Sequence, residues 1–271
     1  MPGTSDPSTV EAWAREAGAI LLSHHGRLEQ VEKKGARDLV TAADREAEAL
    51  IVARIREACP DDPILAEETR ATQADAPRLW IVDPLDGTTN FVHRIPHFAV
   101  SIALYVDGAP VVACVFNPIL DECFVATRGG GATLNGVPIR CRGEDRVSES
   151  VLATGFHYRR EYHGDSNLQH FTDFAYLARG LRRLGSAALD LCYVAEGRFD
   201  GFWELHLSPW DVAGGALMVR EAGGVVTDFS GGDGWLFGGE IVAANPQLAP
   251  RIREVLAAAD PASLPGPRFE P

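Results

Sequence analysis

The sequence predicts a mixed α/β (α+β) fold, in which an antiparallel sheet with helices on one side is followed by alternating helices and strands. Three observations predict it. Apolar residues recur at helical spacing near the N-terminus, hairpin signals separate apolar runs further on, and helix and strand patterns alternate beyond residue 150. With 271 residues, 46% of them hydrophobic, the chain can form one large domain or two closely packed halves.

Two amphipathic helices open the predicted fold. Ser8 and Glu11 form a capping-box pattern at the start of the first helix, and Thr41 is the predicted N-cap of the second. The apolar face of the first helix consists of Val10, Trp13, Ala14, Ala17 and Leu21. The buried stripe of the second consists of Ala43, Ala47, Leu50, Ile51 and Ile55. Each helix therefore offers one apolar face to a sheet.

An antiparallel sheet is predicted to follow the helices. Its strands are expected at 79–82, 98–106, 110–116 and 123–127. The dipeptides Asp107-Gly108 and Asn135-Gly136 are typical of hairpin turns. We expect the two N-terminal helices to cover one side of this sheet.

A polar segment at 140–150 divides the chain into two predicted halves, residues 1–140 and 141–271. Helix and strand patterns alternate in the second half. The predicted helices are 168–177, 186–196, one that follows Ser208 with Pro209 at its first position, and one that begins at Asn245-Pro246. The predicted strands are 151–154, 201–205, 225–229 and 241–245.

Charge and composition exclude several classes of protein. The net charge is −13, from 25 basic and 38 acidic residues, whereas a duplex-DNA-binding protein needs a basic surplus. The five cysteines form no CxxC pair, which argues against a zinc site or a disulfide framework. No apolar run reaches the ~18 residues of a membrane span, and no signal peptide is visible. We therefore expect a cytoplasmic protein that does not bind DNA directly and needs a cation to bind anions.

The segment DPLDGTTN, residues 83–90, carries the densest chemical signal. Asp83 and Asp86 lie three residues apart after an apolar strand. Hard divalent cations prefer such carboxylates together with carbonyl oxygens such as that of Leu85. The backbone amides of Gly87 and Thr88 are then available to a phosphate oxygen. An ordinary Asx turn between strand and helix explains the same pattern, so this segment alone does not establish a metal site.

Further acidic positions strengthen the metal hypothesis. Glu67 and Glu68 follow an apolar run, and a bound cation relieves the repulsion between packed carboxylates. The alternative is a solvated pair in a loop. Asp44 and Asp211 each lie in the first turn of a predicted helix, where an acidic residue also stabilises the helix N-terminus. One metal site explains all four acidic clusters at once.

These segments together resemble the signature motifs of the inositol monophosphatase family. The matching motifs are DLVTAAD at 38–44, Glu67-Glu68, WIVDPLDGTTNF at 80–91 and PWDVAGGALMVREAGG at 209–224. They occur in the family's order and at about its spacing, and the similarity extends through GSAALDLCYVAEGRFDGFWEL at 185–205. The combination of DPLDGTTNF with WDVAGG is highly specific. The stretch LRRLGSAALDL resembles bacterial members of the family.

The resemblance implies a layered αβαβα sandwich, a homodimer and Mg²⁺-dependent hydrolysis of a phosphate monoester. The implied ligands of a first Mg²⁺ ion are Glu67, Asp83 and the Leu85 carbonyl, and those of a second are Asp83, Asp86 and Asp211, so Asp83 bridges the two ions. A third ion depends on Glu67. The implied catalytic residues are Asp44, Glu67 and Thr88. The implied substrate-binding residues are Lys33, Asp86, Gly87, Thr88, Arg183, Gly185, Ser186, Ala187, Glu204 and Asp211.

The leading functional hypothesis is a phosphomonoesterase for inositol 1-phosphate or a similar polyol phosphate. Histidinol phosphate, fructose 1,6-bisphosphate and, least favoured, 3′-phosphoadenosine nucleotides remain open, because related branches use the same machinery. A hypothesis from another class is an accessory protein of RNA polymerase or of ribosomal-RNA processing, in which catalysis is secondary. The complete set of predicted metal ligands favours catalysis.

Overall fold

The structure of the protein, a computed structural model, describes residues 6–27, 32–33, 39–69, 76–157 and 167–258. Two short strands, β1 (Glu32–Lys33) and β2 (Leu39–Val40), pair antiparallel near the start of the chain. Only the backbone of these two strands is described. Within the described ranges, no helix is both long enough and apolar enough to cross a membrane.

A seven-stranded sheet forms the centre of the N-terminal half, with its strands in chain order. The strands are β3 (Ile64–Ala66), β4 (Arg78–Asp86), β5 (Ala99–Val106), β6 (Ala109–Asn117), β7 (Glu122–Thr127), β8 (Gly131–Leu134) and β9 (Val137–Pro138). Neighbouring strands are antiparallel except β3 and β4, which are parallel. The sheet is therefore mixed, and the prediction of a purely antiparallel sheet is wrong at this edge.

Helices α1 (Pro7–His24) and α2 (Ala42–Ala58) pack on one face of this sheet. The predicted capping box at Ser8 is wrong, because the Asp6 carboxylate accepts the Ser8 amide at 3.0 Å and proline begins the helix at residue 7. At α2 the prediction is confirmed: Thr41 is the N-cap, and Asp44 completes a capping box.

The C-terminal half contains a five-stranded sheet in the order β11-β10-β12-β14-β13. Its strands are β10 (Val151–Thr154), β11 (Gly180–Arg182), β12 (Gly201–Leu205), β13 (Val225–Thr227) and β14 (Glu240–Ala244). The remaining helices are α3 (Thr88–Val92), α4 (Leu168–Leu177), α5 (Ala187–Glu196), α6 (Pro209–Glu221), α7 (Trp235–Gly238) and α8 (Leu248–Ala258). A 3₁₀ turn at Val147–Glu149 precedes β10.

The two sheets enclose helices α5 and α6, and three apolar clusters define the layers. On β4, Ile81 faces α5 and α6, while its neighbour Trp80 faces α1 and α2. On β12, Phe202 faces the central helices, while Trp203 packs with α4 and α8. This order of layers is the αβαβα sandwich that the family resemblance implies.

Helices therefore cover both faces of the first sheet, and the prediction that they cover only one is wrong. The second cover comes from α5 and α6, about a hundred residues later in the chain. The apolar run of β5, Ala99–Val106, is buried at seven consecutive positions, which is typical of a strand covered on both sides. The boundary at residue 140 stays a prediction, since one apolar cluster includes both Ile81 and Leu191.

Candidate active site

Three aspartates form a tight cluster where β4 ends and α6 begins. One carboxylate oxygen from each of Asp83, Asp86 and Asp211 lies within 4.8 Å of the other two. The pairing of β4 with β5 shifts register between Asp83 and Asp86, and the Leu85 amide donates to Asp83 Oδ1 at 2.9 Å. The Asx turn expected from statistics is therefore present, and it also brings both carboxylates to one point.

Asp211 is brought to the same point by the packing of α6. A capping box at the start of this helix joins Ser208 and Asp211, with the Ser208 amide donating to Asp211 Oδ2 at 2.7 Å. One turn later α6 lies close to the first sheet: a Cβ at Gly214 would be 2.7 Å from the Ser101 Oγ of β5. Glycine at this position therefore permits α6 to approach the sheet that carries Asp83.

The carboxylates of the cluster need a positive charge beside them to stay ionised. Burial raises the pKa of Asp83 well above its usual range, and the charges of Glu67, Asp86 and Asp211 raise it further. Burial, followed by the charge of Asp86, also raises the pKa of Asp211. Carboxylates packed this closely hold protons unless a positive charge replaces them. The donors are all hard oxygens, so the site fits Mg²⁺ better than a soft metal.

Glu67 lies just beyond the end of β3, next to this cluster. The parallel register pairs Ala66 with Val82, so the following residues, Glu67 and Asp83, are at the same level of the sheet. Glu67 lines the same cavity as the three aspartates, and its charge raises the pKa of Asp83 and Asp211. The geometry therefore brings a fourth carboxylate to the site.

Asp44 and Thr88 meet behind the cluster. The Thr88 hydroxyl lies 3.2 Å from the Leu85 carbonyl oxygen and 3.4 Å from Asp44 Oδ1. The other oxygen of Asp44 accepts the Thr41 amide at 2.8 Å and the Thr41 hydroxyl at 2.6 Å. Burial raises the pKa of Asp44 to about 6, although the bonds from Thr41 lower it. Asp44 thus caps α2 with one oxygen and faces Thr88 with the other.

The start of α5 is hydrogen-bonded to Asp86. Asp86 Oδ2 accepts the Ser186 hydroxyl at 2.6 Å and the Ala188 amide at 2.8 Å. Burial raises the pKa of Asp86 to about 6, and these hydrogen bonds oppose the rise. The backbones of Gly87 and Gly185 also approach closely, because a Cβ at Gly87 would lie 3.2 Å from the Gly185 carbonyl oxygen. The predicted metal end and the predicted substrate end of the site are therefore held together.

Glu204 and Arg183 line the same cavity. Glu204 is 8% exposed on β12, and burial raises the pKa of its carboxyl to about 8, while the Arg183 charge lowers it. A Cβ at residue 155 would overlap the Glu204 carboxylate, so Gly155 makes room for it. The Arg183 guanidinium lies 3.5 Å from the Phe156 carbonyl oxygen.

Most of the site residues predicted from the sequence line one cavity. Those that line it are Glu67, Asp83, Leu85, Asp86, Gly87, Thr88, Arg183, Gly185, Ser186, Ala187, Glu204 and Asp211. Asp44 lies behind Thr88, outside the residues that line the cavity. The predicted substrate-binding side chain of Lys33 lies outside the described part of the structure.

The cavity also contains residues that sequence analysis did not predict. Asp190 lies in the first turn of α5, four residues after Ser186, and Trp210 lies between Pro209 and Asp211. His206 has a φ of 61°, and such a left-handed conformation in a residue other than glycine often marks a functional site. Asp190 lies within the quoted motif GSAALDL at 185–191, which indicates it, whereas nothing in the local sequence indicates the left-handed backbone of His206.

Comparisons with known proteins agree with this geometry. A relative from Escherichia coli named "Nus factor SuhB" is 44% identical over 238 residues, which are 87% of this chain and 89% of the relative. An inositol-1-monophosphatase from Synechocystis is 44% identical over 261 residues, covering 93% and 91% of the two chains. The solved structure of an inositol monophosphatase from Anabaena is similar with a TM-score of 0.87 and 39% identity, covering 95% of this chain and 97% of that one.

The family assignment follows from the motifs, the layers and these relatives taken together. The sequence profile of the inositol monophosphatase family matches residues 6–260, which is nearly the whole chain. The sandwich of five layers and the acidic cluster at the end of β4 are consistent with that match. This chain belongs to the inositol monophosphatase family.

Proposed function

We propose that the chain is a Mg²⁺-dependent phosphomonoesterase that hydrolyses inositol 1-phosphate or a similar polyol phosphate. The observation that carries the proposal is the cluster of Asp83, Asp86 and Asp211, which opens into one cavity together with Thr88 and Glu204. Family membership and the Synechocystis relative named inositol-1-monophosphatase support the same class of reaction.

The proposed metal ligands are the Asp83, Asp86, Asp211 and Glu67 carboxylates and the Leu85 carbonyl, for two or three Mg²⁺ ions. Bound Mg²⁺ supplies positive charge beside the phosphate and lowers the pKa of a water molecule that it coordinates. The chain itself holds these oxygens in place: Leu85 and Asp83 are joined in the Asx turn, and Ser186 orients Asp86.

Asp44 and Thr88 are proposed to polarise and orient the attacking water, and Glu67 is the third proposed catalytic residue. The Thr88 hydroxyl is held between the Leu85 carbonyl and Asp44, so its orientation is restricted. Asp44 lies behind Thr88, so the proton would reach it in two transfers: the water gives a proton to the Thr88 hydroxyl, which gives its own proton to Asp44 Oδ1. As the water oxygen bonds to phosphorus, the ester P–O bond breaks, and the polyol oxygen keeps the electron pair and takes a proton from solvent.

The rest of the cavity is proposed to bind the substrate. The amides of Gly87 and Thr88, at the start of α3, bind a phosphate oxygen. Glu204 and Arg183 form the side that faces the polyol. The other proposed substrate-binding residues are Lys33, Asp86, Gly185, Ser186, Ala187 and Asp211. Glu204 and Arg183 support this proposal because they line the cavity that contains the acidic cluster.

A steady-state screen tests the proposal. Inositol 1-phosphate, histidinol phosphate and fructose 1,6-bisphosphate are compared in Mg²⁺, in Mn²⁺, in Ca²⁺ and in excess chelator. We expect turnover of a polyol phosphate with Mg²⁺ or Mn²⁺, and little with Ca²⁺, whose larger and looser shell positions water poorly. Full activity in chelator would contradict the metal mechanism.

A second candidate function is supported by the 44% identical Escherichia coli relative, which is named Nus factor SuhB. We propose that a role as partner of the transcription machinery can exist alongside catalysis. Co-purification with bacterial RNA polymerase, compared between wild type and Asp83→Ala, separates the two. The variant is expected to lose phosphatase activity and to keep a partner role, whereas an absence of co-purification with the wild type would contradict the second function.

We also propose a homodimer, a cytoplasmic location and two halves that meet near residue 140. Sedimentation equilibrium of the purified protein measures the oligomeric state. A monomer at micromolar concentration would contradict the proposed dimer.

A further inference from the structure

A buried glutamate on α2 has no part in the proposed chemistry. Glu48 is 2% exposed and lies four residues after Asp44, so both side chains occupy the same side of the helix. Among the described residues that line the cavity, Glu48 does not occur. A buried carboxylate is costly unless it is fully hydrogen-bonded, so its partners indicate why it is there.

The partners of Glu48 all belong to the turn that carries Glu67. The backbone amide of Glu68 donates to Glu48 Oε2 at 2.8 Å. The hydroxyl and the backbone amide of Thr69 also donate to the Glu48 carboxylate. One side chain of α2 therefore binds three donors on two consecutive residues, directly after the proposed metal ligand.

The contacts of Glu48 lie next to Glu67 in the chain. Strand β3 is three residues long, and its last pair with β4 is Ala66 with Val82. Glu67 follows this pair at the level of Asp83. The hydrogen bond from the Glu68 amide to Glu48 therefore ties the backbone to α2 at the residue directly after Glu67. A shift of this backbone would move the Glu67 side chain relative to the cluster.

We propose that Glu48 is a positioning residue, which anchors the turn at Glu68 and Thr69 and thereby holds Glu67 at the metal site. The inference rests on the proposed function, because it assumes that Glu67 contributes to Mg²⁺ binding. Helix α2 then supports the site twice. Asp44 faces Thr88, and one turn later Glu48 fixes the position of Glu67.

The test is a titration of the chelator-treated full chain with Mg²⁺ alone, followed by isothermal calorimetry, for Glu48→Gln and Glu48→Ala. Groups that orient metal ligands typically change metal affinity by about ten- to hundredfold, so we expect Glu48→Ala to raise the Kd for Mg²⁺ by that factor. Glu48→Gln keeps one acceptor oxygen and should raise it about fivefold, as expected for one lost hydrogen bond. Glu46→Gln is the matched control: this residue is on the same helix, 58% exposed, and pairs with His24.

A double-mutant cycle with Glu67→Gln shows whether Glu48 acts through Glu67. If it does, Glu48→Gln adds little to the loss already caused by Glu67→Gln. Unchanged Mg²⁺ affinity in Glu48→Gln, or fully additive losses, would overturn the inference while the proposed function stands. If the wild type binds no Mg²⁺, the proposed function fails, and the inference fails with it.

Discussion

Asp83 and Glu204 are buried carboxylates on two different strands, β4 and β12, that line one cavity, and their surroundings differ. Around Asp83, burial and three other carboxylates all raise the pKa. Around Glu204, burial raises the pKa to about 8, the Arg183 guanidinium opposes the rise, and the charge of Asp86 adds to it. Asp83 therefore lies among carboxylates that need an added cation, whereas Glu204 is influenced by a positive side chain of the chain itself.

We propose that this difference separates chemistry from recognition. The acidic cluster would bind metal ions and a phosphate, and Glu204 would bind a hydroxyl group of the substrate. If this division is correct, substitutions in the acidic cluster lower turnover of every substrate, and substitutions at Glu204 change the preference among substrates.

The largest expected effect is that of Asp83→Asn. Asp83 is proposed to bridge two cations, so one substitution weakens both metal sites and nearly eliminates turnover with Mg²⁺. Steady-state kinetics and circular dichroism measure activity and folding. A variant that keeps more than about a tenth of the wild-type kcat, less than ~1.4 kcal/mol of barrier change, would show that Asp83 is not a bridging ligand. Asp107→Asn, in an exposed turn, is the matched control and should be fully active.

Thr88→Ala should have the next largest effect. It removes the hydroxyl that lies between Leu85 and Asp44 but leaves every carboxylate and the backbone amide in place. We expect kcat to fall about a hundredfold, the lower range for loss of proton-transfer assistance, with little change in KM. A rise in KM with unchanged kcat would instead assign Thr88 to substrate binding.

Glu204→Gln should change substrate preference. Above pH 8 the wild-type residue is a carboxylate that accepts a strong hydrogen bond from a substrate hydroxyl, whereas glutamine resembles the protonated acid. At pH 9 we expect kcat/KM for a polyol phosphate to fall roughly tenfold to a hundredfold relative to p-nitrophenyl phosphate, from a bond of ~1.5–3 kcal/mol. The difference should shrink towards pH 6.5. Equal losses on both substrates would make Glu204 a structural residue of β12.

The smallest expected effect is on the stability of the metal-free protein. The pKa of Glu204 is raised in the folded state, so the stabilisation is present at low pH and is lost as pH rises through about 8. Glu204→Gln removes this dependence. The Tm of Glu204→Gln minus the Tm of the wild type should therefore increase by more than about 2 °C from pH 6 to pH 9. Calorimetry in the presence of chelator measures both values. A constant difference would mean that burial does not perturb this group.

Much of the site could be predicted because its signals are local. Asp83, Leu85 and Asp86 belong to one turn, and the capping boxes at Thr41–Asp44 and Ser208–Asp211 each join residues three positions apart. The prediction at Ser8 is wrong for the same local reason, since Asp6 is the stronger capping position before Pro7. The hydrophobic pattern predicted helical cover on one face of the first sheet, and only the family resemblance implied the second cover, although the unbroken apolar run of β5 also indicates it.

By itself the sequence determined the strand and helix types, the turn at Asp83 and the identity of the family. Hydrogen bonds across three or four residues and apolar periodicity are sufficient for these. Only the tertiary structure decided which carboxylates meet. Asp86 reaches Ser186 a hundred residues away, and Glu48 binds the amide of Glu68 twenty residues away. The tertiary structure also sets the pKa shifts of these carboxylates, because desolvation and charge repulsion depend on distances that exist only when the layers pack.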